Sequence, residues 1–243
     1  MEQHHMSTFD ARLKRHFGML CIGPPMAGKT FFVLELLKHA DELIDKPFDY
    51  IYWFYGERSS AVEYLERQGI VRTVSGLPDD LNEYIHTGAK AETPGKPMHG
   101  LLIFDDLMQD MSSSEQISNL TTNKCQHQNV SWIALMQNAF HRGKSRLTML
   151  RCCHYMVLFK NPMDQSVAHH LARRIWPSSP ETFVRIYEKA TQRPNGYLFV
   201  DGCQTTPNEA RFRTDIFGEQ IQKAFVPTQK RRSKGKSTIP SNK

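Results

Sequence analysis

Short apolar runs alternate with longer stretches of helical periodicity along most of the chain. Several of the short runs are almost continuously apolar, which is typical of strands that are buried on both faces of a parallel sheet. Their alternation with helices predicts an α/β fold in which a mostly parallel central sheet is flanked by helices. The predicted strands span residues 18–23, 50–56, 100–107, 130–138, 154–161 and 196–201.

Three of the intervening stretches have the periodicity of helices. Residues 30–43 repeat their apolar positions at the spacing of one helix face. Residues 166–176 and 180–191 have a similar pattern, and Pro180 suits the first turn of the second of them. The helices and strands together indicate one α/β domain without internal repeats.

The two ends of the chain differ from its middle in composition. We expect one domain over residues 18–225, a polar N-terminal lead over residues 1–17 and a basic tail over residues 226–243. The tail contains six of the 31 Lys and Arg residues and no acid. The other 25 Lys and Arg residues balance the 25 Asp and Glu residues, so the tail carries the whole excess of positive charge. This composition predicts disorder. It fits a solvated tail, a nuclear-import signal or an arm that binds nucleic-acid phosphate.

Hydropathy and cysteine content limit where the protein acts. No apolar run approaches the roughly 18 residues that a membrane span needs. The N-terminal residues lack the apolar middle region of a signal peptide. We therefore expect a protein that is not secreted, does not bind membrane and keeps its five cysteines reduced.

The clearest motif is Gly-x-x-x-x-Gly-Lys-Thr at residues 23–30, between the first predicted strand and the first predicted helix. Such loops surround nucleotide phosphates with backbone N–H groups, the Lys contacts the β- and γ-phosphates, and the Thr hydroxyl is a Mg²⁺ ligand. The sequence therefore predicts binding of ATP and Mg²⁺. The candidate nucleotide-binding residues are Gly23, Pro24, Pro25, Met26, Ala27, Gly28, Lys29, Thr30 and Phe31, and Thr30 is also a candidate metal ligand.

Two carboxylates follow a second buried strand. Asp105 and Asp106 come at the end of Leu-Leu-Ile-Phe, where a parallel sheet brings strand ends together. Adjacent carboxylates repel each other unless a cation lies between them. We assign Asp105 to the metal and Asp106 to activation of the attacking water.

Further polar residues follow the next predicted strand. Gln137 ends an apolar run and is expected beside the two acids, where its amide can reach the γ-phosphate or the attacking water. A strand that carries such a polar sensor is typical of ATPases that couple hydrolysis to movement. Arg142, Arg146 and Arg151 follow in a segment interpreted as a cationic loop, and one of them is a candidate arginine finger for a neighbouring subunit. Arg193, in a turn before the last predicted strand, is a weaker candidate for phosphate binding.

Across residues 18–217 the chain resembles viral genome-packaging ATPases of the Polinton/adintovirus type, in the FtsK–HerA branch of P-loop ATPases. The resemblance rests on the Gly-Lys-Thr loop followed in order by LLIFDDLM, ALMQNAFHRG, HYMVLFKNPMD, HLARRIWP and RPNGYLFVD. The stretches QNAFHRG and LFKNP make it more specific than the loop alone. The resemblance implies a P-loop NTPase fold.

The resemblance also implies a function. Such a protein is an ATP-hydrolysing translocase that moves double-stranded DNA into a viral capsid at its portal vertex. It works as a homo-oligomeric ring, a pentamer or hexamer, in the host nucleus or cytoplasm at sites of virion assembly. The family's loop, metal, catalytic and sensor positions match Lys29, Thr30, Asp105, Asp106 and Gln137, and its arginine position matches Arg146 first and Arg151 second.

Two other functions stay open at this point. A nucleoside or nucleotide kinase would use the same phosphate loop but would need an acceptor pocket and a lid rich in arginine. A nucleotide-regulated scaffold would bind DNA or capsid through the basic tail without hydrolysing ATP. A zinc site would require Cys125 and His127 to meet the Cys152–His154 cluster in space, and we favour buried thiols instead.

Overall fold

The computed structural model describes residues 9–87, 98–137, 144–217 and 223–225. In these ranges the strands are β1 (Gly18–Ile22), β2 (Tyr50–Tyr55), β3 (Arg72–Ser75), β4 (Gly100–Asp105), β5 (Val130–Met136), β6 (Tyr155–Phe159), β7 (Tyr197–Asp201), β8 (Phe212–Thr214) and β9 (Lys223–Ala224). The α-helices are α1 (Lys29–Lys38), α2 (Ala40–Leu43), α3 (Ser60–Gln68), α4 (Asn82–Thr87), α5 (Met108–Ser113), α6 (Glu115–Asn119), α7 (Cys125–His127), α8 (Lys144–Cys152), α9 (Ser166–Ile175) and α10 (Pro180–Ala190). A π-helical turn spans Leu120–Lys124, and a 3₁₀ turn spans Asn208–Ala210. None of the helices in these described ranges has the length and apolarity that crossing a lipid bilayer requires.

In the described part of the chain the strands form one nine-stranded sheet in the order β3-β2-β4-β5-β1-β6-β7-β8-β9. All neighbours from β3 to β6 are parallel, and the pairings from β6 to β9 are antiparallel. The predicted α/β fold with a mostly parallel central sheet is therefore confirmed. Strands β3, β8 and β9 are not among the predicted strands, because they are short and have no continuous apolar run.

Strand β1 lies inside the sheet, hydrogen-bonded to β5 on one side and to β6 on the other. Ile22 is level with Met136 of β5 and with Leu158 of β6. Because these three strands run in the same direction, the segments that follow them meet at one edge of the sheet. We call this the carboxyl edge, and the opposite one the amino edge.

Helices cover both faces of the sheet. Helix α1 buries Phe32 and Leu36 against one face, and α9 and α10 bury Leu171 and Phe183 against the other. The central strands are therefore enclosed on both sides, which explains why their sequences are continuously apolar rather than alternating.

Two predicted elements have different bounds in the structure. The helix predicted over residues 30–43 is divided at His39, whose backbone angles (φ −104°, ψ 21°) leave helical geometry and separate α1 from α2. The strand predicted over residues 100–107 ends at Asp105, because Asp106 has a left-handed backbone conformation with φ 56°. This sharp turn directs the chain towards α5.

The packed part of the chain begins earlier than predicted. Leu13 and Phe17, which were assigned to the polar lead, are only 2% and 1% exposed. Leu13 also pairs with Ile44 in an isolated parallel bridge. The segment before β1 therefore contributes to the core, whereas the predicted basic tail over residues 226–243 lies outside the described residues.

A buried ion pair fastens this N-terminal segment to the antiparallel end of the sheet. Arg213 Nη2 donates to Asp201 Oδ2 at 2.9 Å, and both side chains are 4% exposed. Arg213 Nη1 donates to the backbone oxygen of Ala11 at 2.9 Å. The guanidinium carbon also lies 4.8 Å from the centre of the Phe199 ring. Removing either partner would leave the other charge buried and unpaired, which strongly destabilises a folded protein.

A buried histidine lies at the amino edge of the sheet. His99 is 1% exposed, and its Nε2 lies 2.9 Å from Ser131 Oγ. Its ring also packs edge-on against His16, with 5.5 Å between ring centres. Burial, and then the neighbouring His16, lower the pKa of His99 to about 4. The folded protein therefore favours the neutral imidazole.

We expect His99 to destabilise the folded protein as the pH decreases from 7.5 to 5. The unfolded chain gains a proton at His99 near its ordinary pKa of 6.5, whereas the folded chain gains it only near a pKa of about 4. Proton binding at His99 in this window therefore favours unfolding, by about 2 kcal/mol at pH 5, and the difference between the wild type and a variant without this imidazole isolates it. Urea denaturation at several pH values measures the loss.

The variant His99→Gln should show a shallower pH dependence, because an amide cannot gain this proton. His169→Asn is a matched control, since His169 is exposed on α9. An identical loss of stability in His99→Gln and in the wild type would contradict the assignment.

Candidate nucleotide-binding site

The phosphate-binding motif forms the turn between β1 and α1 at the carboxyl edge. Gly23 N donates to Met136 O at 3.0 Å, which extends the β1–β5 ladder to the first residue of the motif. Gly28 has φ 101° and precedes the first residue of α1, and Met26 also has a left-handed backbone with φ 61°. The first N–H groups of a helix have no intrahelical partner, so this turn presents donors and the positive end of the α1 dipole to an anion.

The Lys29 ammonium lies across the mouth of this loop. Its Nζ donates to Gly23 O and to Pro24 O, each at 2.8 Å. Burial lowers the pKa of Lys29, and the charge of Asp105 opposes that effect. A phosphate oxygen would offer this partly desolvated cation a stronger, charge-assisted partner than a backbone carbonyl does.

Close packing requires both glycines of the motif. A Cβ on Gly23 would lie 2.6 Å from Phe159 Cβ, well inside van der Waals contact. A Cβ on Gly28 would lie 3.3 Å from Asn195 Cβ, in addition to the strain of a positive φ. The loop is therefore confined on the side of β6 and β7.

The two acids occupy different environments. Asp105 ends β4 level with Leu135 of β5, and burial raises its pKa to about 6. Lys29 opposes that rise and Asp106 adds to it. The Asp106 side chain is exposed. The Asp106 backbone packs closely against Gly56, since a Cβ added to Gly56 would lie only 2.7 Å from Asp106 O. One carboxylate is thus partly desolvated beside Lys29, and the other is accessible to water.

Gln137 is brought next to the second acid. Its Nε2 donates to Asp106 Oδ1 at 2.9 Å, which joins the ends of β5 and β4. Its backbone N–H donates to the sulfur of Met108 at 3.2 Å. The structure therefore places Lys29, Asp105, Asp106 and Gln137 around one edge of the sheet, as their positions in the sequence predict.

The candidate arginines have a different placement. Arg146 and Arg151 belong to α8 rather than to a cationic loop. Arg151 is exposed in the last turn, shortly before β6 starts at the amino edge, so it lies away from the phosphate loop of its own chain. The side chain of Arg146, together with Asn138 and Arg142, lies outside the described residues.

One turn that adjoins the phosphate loop is not among the predicted parts of the site. Residues 192–196 connect α10 to β7 and face Ala27 across a cleft of about 270 Å³ that Lys160 also lines. Of this turn only Arg193 was singled out, and it forms an ion pair with Asp215. The Pro-Asn-Gly signal in the sequence marks a turn, but it cannot show that the turn lies against a loop far away in the chain.

The described residues contain no group of three or more His, Cys, Asp or Glu side chains that could hold a metal ion. All five cysteines are free. Cys125 is buried and donates to the backbone oxygen of His16, which fits a packed thiol. A zinc site built from the predicted cysteine and histidine clusters is therefore not formed by the described side chains.

Together, the sheet and this edge define a class of protein. A parallel sheet presents a Gly-Lys-Thr loop after β1, acids after β4 and an amide after the intervening β5. This is the architecture of a P-loop nucleoside triphosphatase. The chain belongs to the Poxvirus A32 protein family, whose profile it matches over residues 6–167.

Solved structures with this fold include the genome packaging NTPase B204 of Sulfolobus turreted icosahedral virus 2. Its complex with ATP-gammaS has a TM-score of 0.53 and 13% identity, over 79% of this chain and 95% of that one. Its complex with AMP has a TM-score of 0.51 and 10% identity, over 88% of this chain and 98% of that one. At such identities the similarity shows the fold alone. None of the curated protein sequences compared with the chain is significantly similar to it.

We expect Lys29→Ala to weaken ATP binding roughly a hundredfold, since losing charge-assisted hydrogen bonds to phosphate costs about 3 kcal/mol. Lys38→Ala is the matched control, because Lys38 is an exposed lysine of the same helix that pairs with Glu35. Titration of each variant with a fluorescent ATP analogue measures the affinity. Equal affinities of the two variants would exclude Lys29 from phosphate binding.

Proposed function

We propose that the protein is an ATP-hydrolysing translocase that moves double-stranded DNA into a viral capsid. The observation that carries this proposal is the contact between Gln137 and Asp106 beside the phosphate loop. An amide on the strand between the loop and the acids is suited to sense the γ-phosphate and to change position after hydrolysis. ATPases that perform mechanical work need this coupling, whereas a simple phosphotransferase does not.

The residues of the site support in-line attack of water on the γ-phosphate. Lys29 and the N–H groups at the start of α1 bind and orient the phosphates. Asp106 would accept the proton of the attacking water, because it is exposed and follows β4 at the same edge of the sheet as the phosphate loop. Gln137, through its Nε2, holds the Asp106 carboxylate and detects loss of the phosphate.

The donor set also fits Mg²⁺. Thr30 at the start of α1 and the partly buried Asp105 supply the hydroxyl and carboxylate oxygens that this ion prefers, and Lys29 balances the remaining phosphate charge. Two ligands from the protein are usual, since Mg²⁺ keeps waters and takes its other ligands from the phosphates. The bound ion would neutralise charge that develops between the β- and γ-phosphates.

Family and fold support the packaging function. The chain belongs to the Poxvirus A32 family and has the fold of a viral genome packaging NTPase that binds ATP-gammaS and AMPPCP. We place it, more finely, with the packaging ATPases of Polinton and adintovirus type within the FtsK–HerA branch, on the motif order described above.

The same proposal includes the assembly. A homo-oligomeric ring of five or six subunits, docked on the capsid portal in the host nucleus or cytoplasm, would surround the DNA. Arg146 or Arg151 would reach the nucleotide of a neighbouring subunit, because Arg151 lies away from the site of its own chain. Helix α9 is a candidate DNA surface: His169, Arg173 and Arg174 are exposed on it, and its sequence contains no acid.

We expect ATP hydrolysis that increases with linear double-stranded DNA. Asp106→Asn should lower kcat by roughly 10²- to 10³-fold through loss of the general base, with ATP affinity retained. Asp110→Asn is the matched control, since Asp110 is exposed nearby on α5. Steady-state phosphate release with and without DNA measures both effects.

The possible outcomes separate the alternatives. A rate of ATP hydrolysis that does not change with DNA, together with phosphate transfer to a nucleoside or nucleotide, would contradict the translocase and identify a kinase. ATP binding without hydrolysis, even with capsids and DNA added, would favour a scaffold. Equal rates for Asp106→Asn and Asp110→Asn would exclude Asp106 as the base.

A further inference from the structure

The sheet fixes the direction in which a bound nucleotide must lie. Asp105 ends β4 and Gln137 follows β5, both on one side of β1, so the γ-phosphate end points to that side. The α-phosphate end must therefore point to the other side, towards β6 and β7. A nucleoside attached there needs space and polar partners close to the phosphate loop.

Such a space exists on the β6–β7 side. A cleft of about 270 Å³ opens between Ala27 of the phosphate loop, Lys160 after β6 and the turn over residues 192–196. The turn touches the loop itself, because a Cβ on Gly28 would lie 3.3 Å from Asn195 Cβ. The cleft is thus continuous with the place where phosphates bind.

Several contacts position the turn. Gly196 N donates to Arg193 O at 2.9 Å, and a Cβ on Gly196 would lie 2.8 Å from Ala190 O. Arg193 forms an ion pair with Asp215, which fixes the outer end of the turn and neutralises its charge. Asn195 has φ 57°, a left-handed conformation that asparagine tolerates better than most residues.

Polar side chains line the cleft. Gln192 and Asn195 are exposed, and each has an amide that donates and accepts. That combination matches the N6 donor and N7 acceptor on one edge of adenine, whereas guanine presents two acceptors, O6 and N7, on the same edge. Lys160 is exposed at the end of β6, and among the described residues it forms no ion pair. It lines the cleft together with Ala27 of the phosphate loop.

We propose that this cleft is the nucleoside subsite of the nucleotide-binding site, where the Asn195 and Gln192 amides recognise adenine and Lys160 contacts the sugar–phosphate junction. The inference rests on the proposed function only in that the phosphates of ATP occupy the loop at residues 23–30. It assigns base selectivity to the antiparallel side of the sheet.

The test compares dissociation constants for ATP, GTP and inorganic triphosphate, measured by competition with a fluorescent nucleotide. The main variant is Asn195→Gly, because glycine keeps the positive φ and removes only the side chain. Asn129→Gly is the matched control, since Asn129 also has positive φ (53°) but lies before β5 at the amino edge. Gln192→Ala is paired with Gln68→Ala, an exposed residue that ends α3.

We expect the wild type to bind ATP at least tenfold more tightly than GTP or inorganic triphosphate. Asn195→Gly should raise the dissociation constant for ATP about tenfold, reduce the preference for ATP over GTP and leave triphosphate binding unchanged, as expected from the loss of about 1.4 kcal/mol. Lys29→Ala should weaken all three ligands.

Two results would overturn the subsite. One is wild-type affinity for ATP no greater than that for triphosphate. The other is an equal loss of ATP and triphosphate binding in Asn195→Gly, which would make the turn a support of the phosphate loop. Failure of the proposed function is distinguishable, because selective ATP binding without DNA-stimulated hydrolysis would remove the translocase and keep the subsite.

Discussion

The central parallel ladder of β1 with β5 and β6 is the constraint on which the site depends. Its last hydrogen bond, from Gly23 N to Met136 O, joins the first residue of the phosphate loop to the strand whose next residue is Gln137. Strand β5 in turn fixes the register of β4, in which Asp105 pairs with Leu135. The positions of the phosphates, the acids and the amide therefore follow from one register, and a slip of β1 by one residue would reverse the faces of all its side chains.

Electrostatics at this edge complement that geometry. Burial disfavours the charged forms of both Lys29 and Asp105, so it lowers the pKa of Lys29 and raises the pKa of Asp105. The attraction between the two charges partly opposes both shifts. Lys29 does not fully restore the ordinary pKa of Asp105, because the negative charge of the adjacent Asp106 raises it further. Partly desolvated groups of both signs at a solvent-accessible edge are suited to a ligand that brings phosphate anions and a divalent cation together. Asp106 differs by being exposed, which agrees with a role that involves water.

Much of this arrangement could be predicted from the sequence, because local patterns determine it. Continuous apolar runs indicate strands that are buried on both faces, and the spacing of Gly, Lys and Thr indicates the loop between β1 and α1. The elements that were missed lack such signals. Strand β3 lies at the sheet edge with exposed or half-buried residues, and Arg213 of β8 is polar yet buried because Asp201 pairs with it. The left-handed turn at Asp106 and the break at His39 depend on tertiary packing that no local pattern records.

The change of strand direction after β6 has a consequence for recognition of the nucleotide. Because β7 is antiparallel to β6, Tyr197 at its start is level with Phe159 at the end of β6. Residues that precede β7 therefore reach the carboxyl edge beside Lys160 and the phosphate loop. A parallel β7 would have placed its preceding residues at the amino edge, a full strand length away. The parallel part of the sheet thus gathers groups for phosphate chemistry, and the first antiparallel pairing adds the turn that lines the proposed nucleoside subsite.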